Sequence, residues 1–86
     1  DVKKTKLILQ GFYNIYKDMN EDAWSLQTLD NLSHDFIRSE NYKPKEAFMT
    51  LRYVITGEKA TPPIFDIINI LGKSEVLSRI NKAMVL

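Results

Sequence analysis

The side chains able to do chemistry in this chain are few, and their spacing excludes more than it supports. His34 is the single histidine, flanked by Ser33 and Asp35 on a stretch patterned as a helix. Nucleophilic catalysis needs a hydroxyl, a base and an orienting acid brought together, and no such set stands out around it. It reads as a surface or satisfied histidine. Asp30 and Asp35 lack the i,i+4 spacing that would pair them on one helix face and read as solvated. With no cysteine and one histidine, thiolate zinc sites, iron–sulfur clusters and disulfides are absent from the chemistry of this chain. The three glycines are isolated, so there is no phosphate-cradling loop. Lys3, Lys4 and Lys6 could touch phosphate, but read more simply as a solvated helix start. No catalytic, cofactor-binding or metal residue is assigned.

One segment offers more. Arg52 is one of three arginines in the chain, and it flanks the apolar positions Leu51 and Ile55. Shortly after it, Thr61-Pro62-Pro63 reads as an N-cap followed by prolines in a first helical turn. Unpaired N–H groups point outward at such a start. A guanidinium near a helix start suits a polar, partly anionic ligand. From the residues alone, Arg52 reads more readily as a structural ion-pair partner.

The elements that would carry this segment are helices. Apolar residues recur at 3–4 spacing through Ile8, Phe12, Ile15, Tyr16 and Met19, with Gly11 inside the stripe. A second stripe runs Leu26, Leu29, Leu32, Phe36, Ile37 behind the cap Ser25. A third runs Ala47, Phe48, Leu51, Val54, Ile55 between Pro44 and Gly57, and continues unbroken through the β-branched Val54-Ile55-Thr56. Ile64 to Leu71 is apolar almost all round, which predicts a central helix. A last stripe, Val76, Leu77, Ile80, Ala83, Met84, follows Ser74 as a cap. The expectation is an all-α bundle of about five helices over 2–19, 25–40, 44–56, 62–71 and 74–84, forming one domain, 1–86.

Eighty-six residues, 44% hydrophobic and 27% charged, suit one small globular domain with a modest core. Nothing approaches the ~18 apolar residues of a membrane span. Lysine and arginine total 12 against 11 acids, a formal charge of +1, well short of a bulk nucleic-acid binder. The chain opens on Asp1, so a fragment of a longer protein is expected.

Three runs carry a family resemblance: Leu51-Arg52-Tyr53-Val54-Ile55-Thr56-Gly57, Thr61-Pro62-Pro63-Ile64-Phe65, and Leu71-Gly72-Lys73-Ser74-Glu75-Val76-Leu77-Ser78-Arg79-Ile80. In order and spacing they resemble the C-terminal end of bacterial-type, class I glutamyl-tRNA synthetases. Trp24 before a helix and the Lys43-Pro44-Lys45 entry resemble it too. The likeness covers about residues 20–84.

The resemblance implies a helical anticodon-binding domain. Its partners would be the anticodon loop of tRNA(Glu) and a catalytic domain upstream in the same chain. The parent would act as a monomer in the bacterial cytoplasm, or in an organellar matrix. Arg52 would donate to a base edge or phosphate, and Thr61 would offer its hydroxyl and the adjacent backbone. Pro62, Ile64 and Phe65 would give an apolar surface for an unstacked base. The family often has glycine where Pro63 stands, so a backbone donor is lost there, and Ile64 replaces a leucine. The ATP-binding signatures of the class, a His-x-Gly-His-type run and a Lys-Met-Ser-Lys-Ser-type loop, are absent. ATP and Mg would therefore be bound by the parent enzyme, and this chain would have no cofactor of its own. The alternative is a helical protein-interaction module without RNA binding.

Overall fold

In a computed structural model, residues 1–58 and 62–85 are described, and among them the elements are helical with no strand. Five α-helices follow one another: α1, Val2–Lys17; α2, Leu26–Ser39; α3, Pro44–Thr56; α4, Ile64–Leu71; and α5, Lys73–Met84. A single 3₁₀ turn, Glu21–Ala23, bridges α1 and α2. Helix α1 packs against α5, α2 and α3, and α4 packs on α2 and α5.

Local chemistry fixes most of the helix ends. The Asp1 carboxylate accepts from the N–H groups of Lys3 and Lys4 and starts α1. Ser25 Oγ accepts from Thr28 N–H at 3.3 Å and starts α2, as its sequence position predicts. Helix α2 ends at Asn41, which takes a left-handed φ of 58°. Tyr42 N–H donates to Ile37 O and Asn41 N–H to Arg38 O, the paired bonds of a Schellman motif. Pro44 opens α3 at its first turn.

The structure departs from the predicted pattern at four main points. Helix α1 stops at Lys17, two residues early, and Met19 is buried beyond its end. Helix α4 begins at Ile64, not at residue 62, with Pro63 at its cap position. Pro63 itself is the cause, because a residue preceding proline is disfavoured in the α region and Pro62 is that residue. Helix α5 begins at Lys73, capped by Gly72 and not by Ser74. Gly72 ends α4 and starts α5 at φ 88°, ψ 160°, a conformation reserved for glycine. The fourth correction concerns α4, which is apolar all round but not buried all round. Ile64, Phe65 and Ile68 face inward, whereas Ile70 is 84% exposed.

The core joins Ile8, Phe12 and Tyr16 of α1 to Leu29 and Ile37, Leu51 and Ile55, Ile68, and Val76 and Ile80. One polar pair lies inside it: Tyr16 Oη and Ser33 Oγ meet at 2.6 Å, each satisfying the other. Burial pushes the Tyr16 phenol well above its ordinary pKa, so it stays a neutral hydrogen-bonding partner. Gly11 serves packing as well. A methyl group at this position would overlap Cζ and Cε1 of Phe36, whose ring lies directly over the α1 backbone.

Candidate nucleic-acid interface

Arg52 stands on the last two turns of α3, and the end of that helix is tied down from three sides. Gly57 takes the left-handed conformation its position predicts, and its N–H donates to Tyr53 O at 2.7 Å. Thr56 Oγ1 donates to the carbonyl of Arg52 at 2.8 Å and accepts from Glu58 N–H at 3.1 Å. Arg79 reaches across from α5 and donates from Nη1 to Ile55 O at 2.5 Å, while its Nε holds Glu75 at 2.8 Å. Such bonds quench the carbonyls a helix end leaves unpaired. The hydrogen bond from Arg79, and after it the Arg79 charge, keeps the Glu75 carboxyl below the usual glutamate range.

Pro44, Phe48 and Arg52 follow one another at i, i+4 and i+8 and so share an edge of α3. That edge meets the start of α4 through aromatic rings. Phe48 and Phe65 pack edge to face, with centroids 5.7 Å apart. The His34 ring lies 4.9 Å from Phe48 and 6.1 Å from Phe65, completing a three-ring cluster. His34 is held in turn by Asp30, whose carboxylate is 2.6 Å and whose carbonyl is 2.9 Å from Nδ1. The cluster thus locks the first turn of α4 beside the turn of α3 that precedes Arg52. Phe48 and His34 were not assigned a site role from sequence. The available signal was the four-residue spacing of Asp30 and His34, which pairs them on α2.

The site residues fall into three groups. Arg52 is partly buried and Pro62 exposed, and each is engaged with neighbours. Ile64 and Phe65 are 5% and 9% exposed, so their side chains belong to the core. This corrects the expectation that they present an apolar surface to a base: their side chains anchor the tip, and the exposed apolar groups there are Pro62 and Pro63. Thr61 lies outside the described residues. Pro63, not a hydroxyl residue, occupies the cap position, and its side chain makes no cap hydrogen bond. The exposed proline rings give this tip an apolar face.

Elsewhere the charges are spent locally. Lys4 pairs with Glu46 of α3 at 3.2 Å, and Arg38 with Asp35 at 3.2 Å. Among the described residues, no three histidine, aspartate or glutamate side chains gather as a metal set, and no helix is long and apolar enough to cross a membrane.

Among the described residues the fold is a bundle of five α-helices, with α3 and α4 meeting through Phe48 and Phe65. The family model described as an anticodon binding domain matches residues 1–84, and the chain belongs to that family. Over 82 residues it is 33% identical to the glutamate–tRNA ligase of Borrelia recurrentis, covering 95% of this chain and 14% of that protein. Over 62 residues it is 36% identical to the glutamate–tRNA ligase of Herpetosiphon aurantiacus, covering 72% of this chain and 12% of that one. The glutamate–tRNA ligase 1 of Fervidobacterium nodosum is 31% identical over 80 residues, covering 92% of this chain and 17% of that protein. The chain therefore spans only a small part of the length of these relatives. No solved structure matches it.

Proposed function

We propose that this chain reads anticodon bases of tRNA(Glu), as the C-terminal anticodon-binding domain of a monomeric, cytoplasmic glutamate–tRNA ligase. ATP- and magnesium-dependent joining of glutamate to the tRNA belongs to a catalytic domain upstream in the parent chain. The observation that carries the reading is the shared edge of α3 and α4. There Phe48, one turn before Arg52 on α3, packs on Phe65 in the first turn of α4. In this reading Arg52 donates to a base edge or phosphate, and Thr61 and Pro62 contact a base lifted out of its stack. Ile64 and Phe65 hold the tip in place from below. Unstacked bases met by edge contacts and flat surfaces are the usual targets of RNA-binding proteins.

Near-neutral charge fits this division of labour. A domain that supplies discrimination needs few phosphate contacts, and its binding should depend weakly on salt. Arg52→Ala in the parent ligase tests the reading. It should lower kcat/KM for tRNA(Glu) by ~1–3 kcal/mol, the worth of one good base contact, while leaving tRNA-independent steps unchanged. Undiminished aminoacylation by a folded variant would remove Arg52 from the site.

A further inference from the structure

A second cleft opens on the same edge of α3, at the opposite end from Arg52. It holds about 300 Å³ and is lined by His34, Ile37, Arg38, Asn41, Tyr42 and Pro44. Ile37 is the buried floor, and the other five bring an imidazole, a guanidinium, a carboxamide, a phenol ring and a proline ring to one concavity. Concave sites with an apolar base and a few convergent polar groups are where small planar ligands bind. The cleft is continuous with the Arg52 edge: His34 both lines it and packs on Phe48. Pro44 and Arg52 are eight residues apart on one helix, roughly 12 Å along its axis.

Asn41 is the distinctive residue of this cleft. It occupies the left-handed position of the Schellman turn, with φ 58°. Glycine is the usual residue at such a position, and the turn's two backbone bonds do not need a side chain. Asparagine tolerates the conformation and places a carboxamide at the cleft, a group that can donate to and accept from a base edge. Beside it, Tyr42 is braced by the Phe36 ring at 5.8 Å and forms a fixed wall. His34 is oriented through Nδ1 by Asp30, which leaves Nε2 to meet a ligand. Arg38 is mostly exposed and tethered by Asp35 alone.

We infer that this cleft is a second nucleotide subsite, taking one unstacked nucleotide of the same RNA loop that Arg52 and the α4 tip engage. The inference rests on the proposed RNA-reading function. The base stacks against Tyr42 and the His34 ring, Asn41 reads its edge, and Arg38 takes the neighbouring phosphate or a second edge position. Base stacking on aromatic rings and arginine planes is sequence-tolerant, while the amide adds selectivity.

Asn41→Gly separates recognition from folding, because glycine suits the turn at least as well as asparagine. The 86-residue chain is titrated with a stem-loop RNA carrying the glutamate anticodon, and backbone amide shifts and affinity are read together. The expected result is movement of amides in both 38–42 and the α3–α4 junction. Asn41→Gly should weaken binding roughly fivefold or more, the lower end of a base-edge contact, with melting unchanged or raised. Arg38→Gln, an exposed change, should weaken it in the same direction. If the junction amides move but those of 38–42 stay still, or if both variants bind like the parent sequence, the subsite is wrong and the Arg52 reading stands. If no amide moves, the RNA-reading function falls and the subsite with it.

Discussion

The wall formed by α1 and α2 and the junction between α3 and α4 are held together by different means. In the wall, side chains cap both helices and the one buried polar pair, Tyr16 and Ser33, is internally satisfied. Phe12, Phe36 and Tyr16 then interlock over Gly11. At the junction, the cap residues Lys43 and Pro63 make no side-chain cap bond, and prolines and glycine do the turning. Rings and a single long guanidinium from α5 hold it in register. The wall spends its chemistry on stability. The junction carries a partly buried arginine and exposed proline faces, the groups the proposed RNA contact would use.

Substitutions sharpen that contrast, beginning with α4, which belongs to both regions. Ile68 is fully buried, and Ile68→Ala should destabilise by ~2–5 kcal/mol in denaturant unfolding. Ile70, two residues on and exposed, should change stability by less than ~0.5 kcal/mol when made alanine. Equal costs would erase the inward and outward faces of α4. Gly11→Ala comes next. In an ordinary helix interior the change gains up to ~1 kcal/mol. Here the new methyl would strike Phe36, whose ring cannot withdraw without losing its contacts with Phe12 and Tyr42, at 5.1 and 5.8 Å. A net loss of ~1–3 kcal/mol is expected, and a gain would show that α1 and α2 are not in close approach.

Much of this was legible in the sequence. Stripes at 3–4 spacing placed the helices, and Ser25, Pro44 and Gly57 marked ends that the structure keeps. Gly11 looked like a weakness, because periodicity cannot reveal which ring will lie over a gap. The burial of Ser33 has no signal in its own helix, because its partner Tyr16 sits on another one. The α4 boundary was misplaced because two adjacent prolines were both put in the helix, although the second restricts the first. At the candidate interface, the sequence places Arg52 in the second half of α3, as the structure has it, and Pro62 at the start of α4, where the structure has it just before that helix. The inward turn of Ile64 and Phe65 was not legible, since it depends on Phe48 and His34 arriving from two other helices.

The smallest effect should come from pH. The folded-state pKa of Glu75 is depressed by Arg79, so the stability it contributes is present above the ordinary glutamate pKa and lost as pH falls through the lowered one. The pair is exposed, so added salt should blunt the effect. Melting followed on acidification below about pH 4.3 should show a shallow decline that Glu75→Gln flattens. An unchanged profile in that variant would mean Arg79 is held by Ile55 O without help.

The central claim is that the α3–α4 junction reads bases, and affinity for an anticodon stem-loop tests it most directly. The chain should bind the glutamate stem-loop more tightly than one with altered anticodon bases. Arg52→Ala, with its melting preserved, should lose ~1–3 kcal/mol of that binding and much of the preference between the loops. Equal affinity for both loops, or a folded Arg52→Ala chain that discriminates as well as the original, would contradict it.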